Sequence, residues 1–133
     1  MGILIDASIL IGVERRNLDI ASQVKGREEE EFFISVITAS ELLHGVWRVK
    51  DPRIRARRSA FVETILERFS ILPIDLGTAR IHAQLWAELE ERGTPIGPHD
   101  VWIAAACIAH GYSLATHNLE EFKRIPGLVV EKW

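Results

Sequence analysis

The chain has 133 residues, 47% hydrophobic and 26% charged, the balance of a folded domain rather than a disordered, collagenous or coiled-coil chain, and residues 1–133 are expected to form a single domain. Sixteen Lys and Arg against nineteen Asp and Glu leave a net charge of −3, so no bulk positive field draws it to nucleic acid or anionic membrane, and any such contact must be local. The single Cys107 excludes an internal disulfide and a Cys-x-x-Cys metal clip and suits a reducing cytoplasm, the first apolar run breaks at Asp6 without a basic flank and so is not expected to be a signal peptide, and the longest uncharged apolar run, residues 101–109, is too short to span a bilayer.

Gly2-Ile3-Leu4-Ile5 is continuously apolar and predicts a strand buried on both faces. Residues 7–16 carry Ile9, Leu10 and Val13 at helical spacing, a second short helix is expected over 19–24, and 25–31 read as a charged loop. Phe32-Phe33-Ile34 predicts a second strand, followed by a helix over 36–47 with Ile37, Leu42, Leu43 and Val46 on one stripe. Pro52 opens a helix running to Phe69. Ile71-Leu72-Pro73-Ile74 predicts a third strand at the sheet edge, because Pro73 has no N–H for an interior ladder.

Asp75 is an N-cap for a helix over 77–92 that Gly93 closes. After a loop over 94–97, Pro98 starts a very apolar helix that ends at Gly111. Ser113-Leu114-Ala115-Thr116 predicts strand four, 119–124 a short helix, and Leu128-Val129-Val130 a last strand after the Pro126-Gly127 turn. Strands alternating with helices imply an α/β fold with a parallel sheet covered on both faces. Trp47, Trp86 and Trp102 lie on apolar stripes and are expected in the core or at an interface.

In such a sheet, ligands bind beyond the carboxyl ends of the strands. Asp6 follows strand one, Glu41 lies near the start of the helix after strand two, Asp100 lies in the first turn of the helix before strand four, and Thr116 and Asn118 end strand four. Each has a purely structural explanation: Asp6 as a helix cap, Thr38-Ala39-Ser40-Glu41 as a capping box, Asp100 as a complement to the macrodipole, Asn118 as a turn residue. Together they mean more. Three close carboxylates in a partly dry cleft repel one another unless a divalent cation or a shared proton offsets the charge. Magnesium takes oxygen ligands and completes its shell with water and phosphate oxygens, so the pattern points to metal-assisted phosphodiester chemistry. The basic stretch Arg48, Lys50, Arg53, Arg55, Arg57 and Arg58 offers phosphate contacts or merely a solvated helix face.

Four blocks in order, Ile3-Leu4-Ile5-Asp6-Ala7-Ser8, Thr38-Ala39-Ser40-Glu41-Leu42-Leu43-His44-Gly45, Gly97-Pro98-His99-Asp100 with Ile103-Ala104-Ala105, and Thr116-His117-Asn118 with Glu121-Phe122, resemble the motifs of PIN-domain ribonucleases, above all the VapC toxins of toxin–antitoxin pairs. The resemblance implies a PIN-like three-layer α/β/α fold with a five-stranded parallel sheet in the order 3-2-1-4-5. It also implies cleavage of RNA dependent on Mg2+ or Mn2+, leaving 5'-phosphate and 3'-hydroxyl ends, a homodimer, and a cognate VapB-type antitoxin whose tail fills the cleft. Asp6, Glu41 and Asp100 match the family's three main acidic positions and are implied to be catalytic metal ligands. Asn118 stands where many relatives carry Asp and is the fourth catalytic candidate; Glu121 is the alternative acid, grouped with Ser8 and Thr116 as groups that orient ligands or water. Two other readings stay open: a PIN-like module that binds RNA or a partner without cutting, and a receiver-type signalling module with Asp75 as phosphoacceptor. Against the second, no acidic pair follows strand one.

Overall fold

β1 (Gly2–Ile5) is buried along its whole length, as a four-residue apolar run demands, and the rest of the chain is laid out on either side of it. The computed structural model describes residues 2–15 and 20–133. After β1 come α1 (Ala7–Glu14), α2 (Ile20–Val24), β2 (Glu31–Ser35), α3 (Val36–Arg48), α4 (Pro52–Arg68), β3 (Ser70–Leu72), α5 (Leu76–Arg92), α6 (Pro98–His110), β4 (Ser113–Thr116), α7 (Leu119–Phe122) and β5 (Val130–Lys132). The five strands form one sheet in the order β3-β2-β1-β4-β5, every pair parallel, with Leu4 opposite Phe33 and Ile5 opposite Ala115.

Alternation along β1 divides the core between the two faces of the sheet. Leu4, with Leu114 of β4, packs against α5 and α6 through Leu85, Leu89 and Ile103. Ile3 and Ile5, with Ala115, pack against α1, α3 and α4 through Ile9, Leu10, Leu42 and Val62. Each buried Leu or Ile contributes about 2 kcal/mol relative to exposure, so a one-residue slip of β1, which would exchange its two faces, is strongly disfavoured. Cys107 is fully buried in α6, where burial pushes its thiol pKa up, a packing role.

Several boundaries differ from the expected ones for reasons of pairing. β2 extends to Glu31 and Ser35 because Gly2 and Leu72 offer them ladder partners. β3 starts at Ser70 and stops at Leu72, so Pro73 lies just beyond the strand; β3 is indeed at the edge, but Pro73 is not an edge-strand residue. β5 is shifted to Val130–Lys132, where Glu131 is held by two hydrogen bonds from Arg27 (2.7 and 3.0 Å) and one from Ser113 Oγ (3.1 Å). α1 ends at Glu14, and Arg16 and Asp19, the expected ends of the first two helices, fall outside the described residues. Trp47 and Trp86 are 72% and 56% exposed and so are not core residues, whereas Trp102 is half-buried with its ring stacked on His82 at 3.6 Å. Among the described residues no helix is long and apolar enough to cross a membrane.

Candidate active site

The chain leaves β1 toward β2 on one side while β4 pairs on the other, and this reversal opens a crevice at the carboxyl ends of β1 and β4. Asp6 sits in it. Its N–H extends the ladder to the carbonyl of Ala115 (2.9 Å), and its backbone takes the N-cap position of α1. The side chain does not cap the helix. Only 4% exposed, it accepts hydrogen bonds on Oδ2 from Ser8 Oγ and Thr116 Oγ1, both at 2.8 Å. Those hydroxyls are themselves fixed, Ser8 Oγ accepting from the N–H of His117 (3.1 Å) and Thr116 Oγ1 from the N–H of Asn118 (3.0 Å). A buried carboxylate is costly without such partners, so Ser8 and Thr116 both stabilise Asp6 and set its orientation.

Glu41 lies in the second turn of α3, because that helix is capped by Ser35, whose Oγ accepts from the N–H of Ile37 (3.0 Å). Thr38 is inside the helix, so the Thr38–Glu41 capping box does not form. Glu41 is half-buried, and its Oε1 is buried with no hydrogen-bond partner among the described residues. Burial raises its pKa, the negative charge of Asp6 adds to the rise, and His99 opposes it. Asp100 is the third residue of α6, close to the helix's positive end. That dipole is outweighed: the Asp100 carboxyl is pushed up to about 7 by burial first, then by the charges of Glu121, Asp6 and Glu41 and a hydrogen bond shared with Glu121.

The structure therefore brings Asp6, Glu41 and Asp100 together and adds Glu121 to them. Glu121 Oε1 accepts from the N–H of Gly97 (2.9 Å), which holds α7 against the start of α6. Asn118 is exposed, its backbone engaged with Thr116, and it lines an outer groove with Arg124 and Lys132. Among the described residues no three His, Cys, Asp or Glu side chains are drawn together as tightly as a preformed metal cage. The four carboxylates share a field without sharing a point.

A cleft of about 630 Å³ is lined by Glu41, Glu14 and His99 together with Arg15, Arg48 and Arg58. The basic stretch thus splits: Arg48 and Arg58 reach the cleft, while Arg55 lies over the Trp47 ring (5.8 Å) and donates to the carbonyl of Val49 (2.7 Å). Arg15 has no signal in the sequence, since it sits beyond the first block and reaches the cleft only through the fold. Asp75, the phosphoacceptor of the receiver reading, caps α5 by accepting from the N–H of Thr78 (2.8 Å), and that bond holds its pKa down.

A family model described as the PIN domain matches residues 3–128. Ribonuclease VapC1 of Rickettsia felis is 40% identical over 130 residues, 98% of this chain and 95% of that protein. The tRNA(fMet)-specific endonuclease VapC of Salmonella typhimurium is 40% identical over 100 residues, 75% of this chain and 74% of that protein. Among solved structures, VapBC2 from Rickettsia felis bound to a DNA fragment from its promoter superposes with a TM-score of 0.91 at 28% identity, covering 100% of this chain and 99% of that one.

Proposed function

Because the chain belongs to the PIN-domain family, and within it to the VapC ribonucleases, we propose that it is the endoribonuclease toxin of a toxin–antitoxin pair, dependent on magnesium or manganese and inhibited by a cognate VapB-type antitoxin. The observation that carries this reading is the crevice itself: buried Asp6 with Glu41, Asp100 and Glu121 close by, where burial first and the neighbouring carboxylates second push Asp100 up to about 7. That is more negative charge than a half-buried cleft holds without a counter-charge.

The residues fit a hard cation. Their donors are all carboxylate oxygens, and Glu41 Oε1 is buried and unpaired. Asp6, Glu41 and Asp100 would hold the ion, with Glu121 beside Asp100. When bound, such an ion neutralises charge on a phosphoryl oxygen and lowers the pKa of water. The chain's own groups do the rest: Ser8 and Thr116 keep Asp6 aimed into the crevice, and burial with the charge of Glu121 beside it holds the Asp100 carboxyl up at about 7. RNA is the substrate class, and the Salmonella relative's specificity makes tRNA the first RNA to test. A homodimer in the cytoplasm completes the proposal.

The test is cleavage of structured RNA with magnesium by wild type and by Asp6→Asn, Glu41→Gln and Asp100→Asn. Each variant should lose nearly all cleavage with its fold intact, the losses should not add, because the three act as a unit, and wild-type products should carry 5'-phosphate ends. RNA binding with no cleavage by wild type would favour a non-cutting module instead.

A further inference from the structure

Glu41, Gly45 and Arg48 are spaced by four and then three residues on α3, so they share one helix face, and all three line the 630 Å³ cleft. Gly45 is unexplained by the fold. It is interior to a 13-residue helix, its φ is not among the positive ones, and a Cβ built on it meets nothing within 4 Å. Neither backbone conformation nor packing asks for glycine there, and glycine weakens a helix interior relative to alanine. What remains is close approach by something that occupies the cleft. Opposite this face, Arg58 of α4 is engaged only loosely, its Nε 3.3 Å from Glu14 Oε1 of α1, with side-chain exposures of 37% and 24%. A part-exposed pair of this kind contributes little and yields to a phosphate, which a guanidinium binds through two parallel hydrogen bonds.

We propose that the α3 face over Gly45 is the track of the substrate strand: the phosphodiester backbone leaving the carboxylates passes across Gly45 and hands its next phosphate to Arg58 and Arg48, displacing Glu14. This rests on the ribonuclease reading for its polarity from carboxylate to cation. A phosphate backbone suits the cleft better than a peptide because three arginines, Arg15, Arg48 and Arg58, line it in a chain that is acidic as a whole, with Glu14 the carboxylate that a phosphate would replace. Glu14 then acts as a restraint that a true strand outcompetes and a stray anion does not.

The probe is a fluorescein-labelled bacterial tRNA, with Kd measured by anisotropy in EDTA, where no cleavage occurs, and Tm measured on the same samples. Gly45→Ala should melt about 3 °C higher than wild type while binding more weakly, since the gain is in the helix and the loss in the track. Gly45→Leu should weaken binding by about twentyfold or more, the cost of blocking close backbone approach, with its circular dichroism unchanged. Arg58→Gln should reduce the slope of log K against log salt by about 0.7, one phosphate contact on a single strand, and Glu14→Gln should tighten binding. Wild-type affinity in folded Gly45→Leu, weaker binding in Glu14→Gln, or weaker antitoxin binding with unchanged tRNA binding would overturn the track. Cleavage of the same tRNA in magnesium is read in parallel. Absent cleavage with the Gly45 effect intact rejects the ribonuclease reading alone; cleavage with no Gly45 effect rejects the track alone.

Discussion

Asp100 ties the chemistry of the crevice to the stability of the chain. Its carboxyl titrates near 3.8 when unfolded and is pushed up to about 7 in the fold, so between those values the native state binds the proton that the unfolded chain has lost. Stability of the metal-free protein should fall as pH rises from about 4 to 7, since the slope follows protons bound in the unfolded minus the folded state, and level off above. Glu41, raised by burial, acts in the same direction. Asp100→Asn removes the larger part of the effect and leaves that of Glu41, so in EDTA at pH 8 it should melt higher than wild type and gain less from magnesium. Melting curves at pH 5 and pH 8 check this; a variant that melts lower in EDTA would make Asp100 a mere helix-start charge, worth about 0.3–1 kcal/mol. The fourth position also belongs to this scale. Glu121→Gln should reduce cleavage more than Asn118→Ala, because Glu121, although it borders the same outer groove as Asn118, also lies against Asp100 and accepts from the N–H of Gly97. The sequence places both residues within one short block, and only the bond to Gly97, 24 residues upstream, shows which side chain is tied to the start of α6.

Elements were legible where period decides and illegible where partners decide. The apolar run of β1, the stripe of α3, and the Asp75 cap and Gly93 stop of α5 follow from local chemistry, and each appears as expected. The start of α3 at residue 36 is also as expected, but its cap is not: the capping-box reading of Thr38 and Glu41 gives way to Ser35, because the ladder from Ser35 to Leu72 carries β2 up to Ser35 and leaves it at the head of the helix. Two substitutions read the outcome. Ser35→Ala should cost about 1 kcal/mol, the loss of a side-chain cap. Thr38→Val should be neutral or stabilising, because Thr38 Oγ1 is buried without a partner and its removal loses no hydrogen bond. Urea denaturation checks both, and a large loss in Thr38→Val alone would return the cap to Thr38. β3 shows the converse, an edge position correctly expected for a residue, Pro73, that lies outside the strand.

At the scale of the molecule, the strand order β3-β2-β1-β4-β5 matters because it places the one reversal beside Asp6. Alternating strands and helices imply a parallel sheet, but only the motif resemblance implied its order, since no single-chain pattern says which strands are neighbours. The charge of −3 likewise hides a cleft in which Glu41 shares its walls with Arg15, Arg48 and Arg58, because contributions far apart in the chain cancel in the sum. The account stands or falls on the carboxylate crevice acting as a cation-dependent cutter of RNA. The direct measurement is the rate of cleavage of an end-labelled tRNA by protein dialysed against EDTA, before and after millimolar magnesium is added. The account predicts no cleavage before and cleavage to 5'-phosphate products after, lost again in Asp6→Asn; equal cleavage in EDTA, or full cleavage by Asp6→Asn, would contradict it.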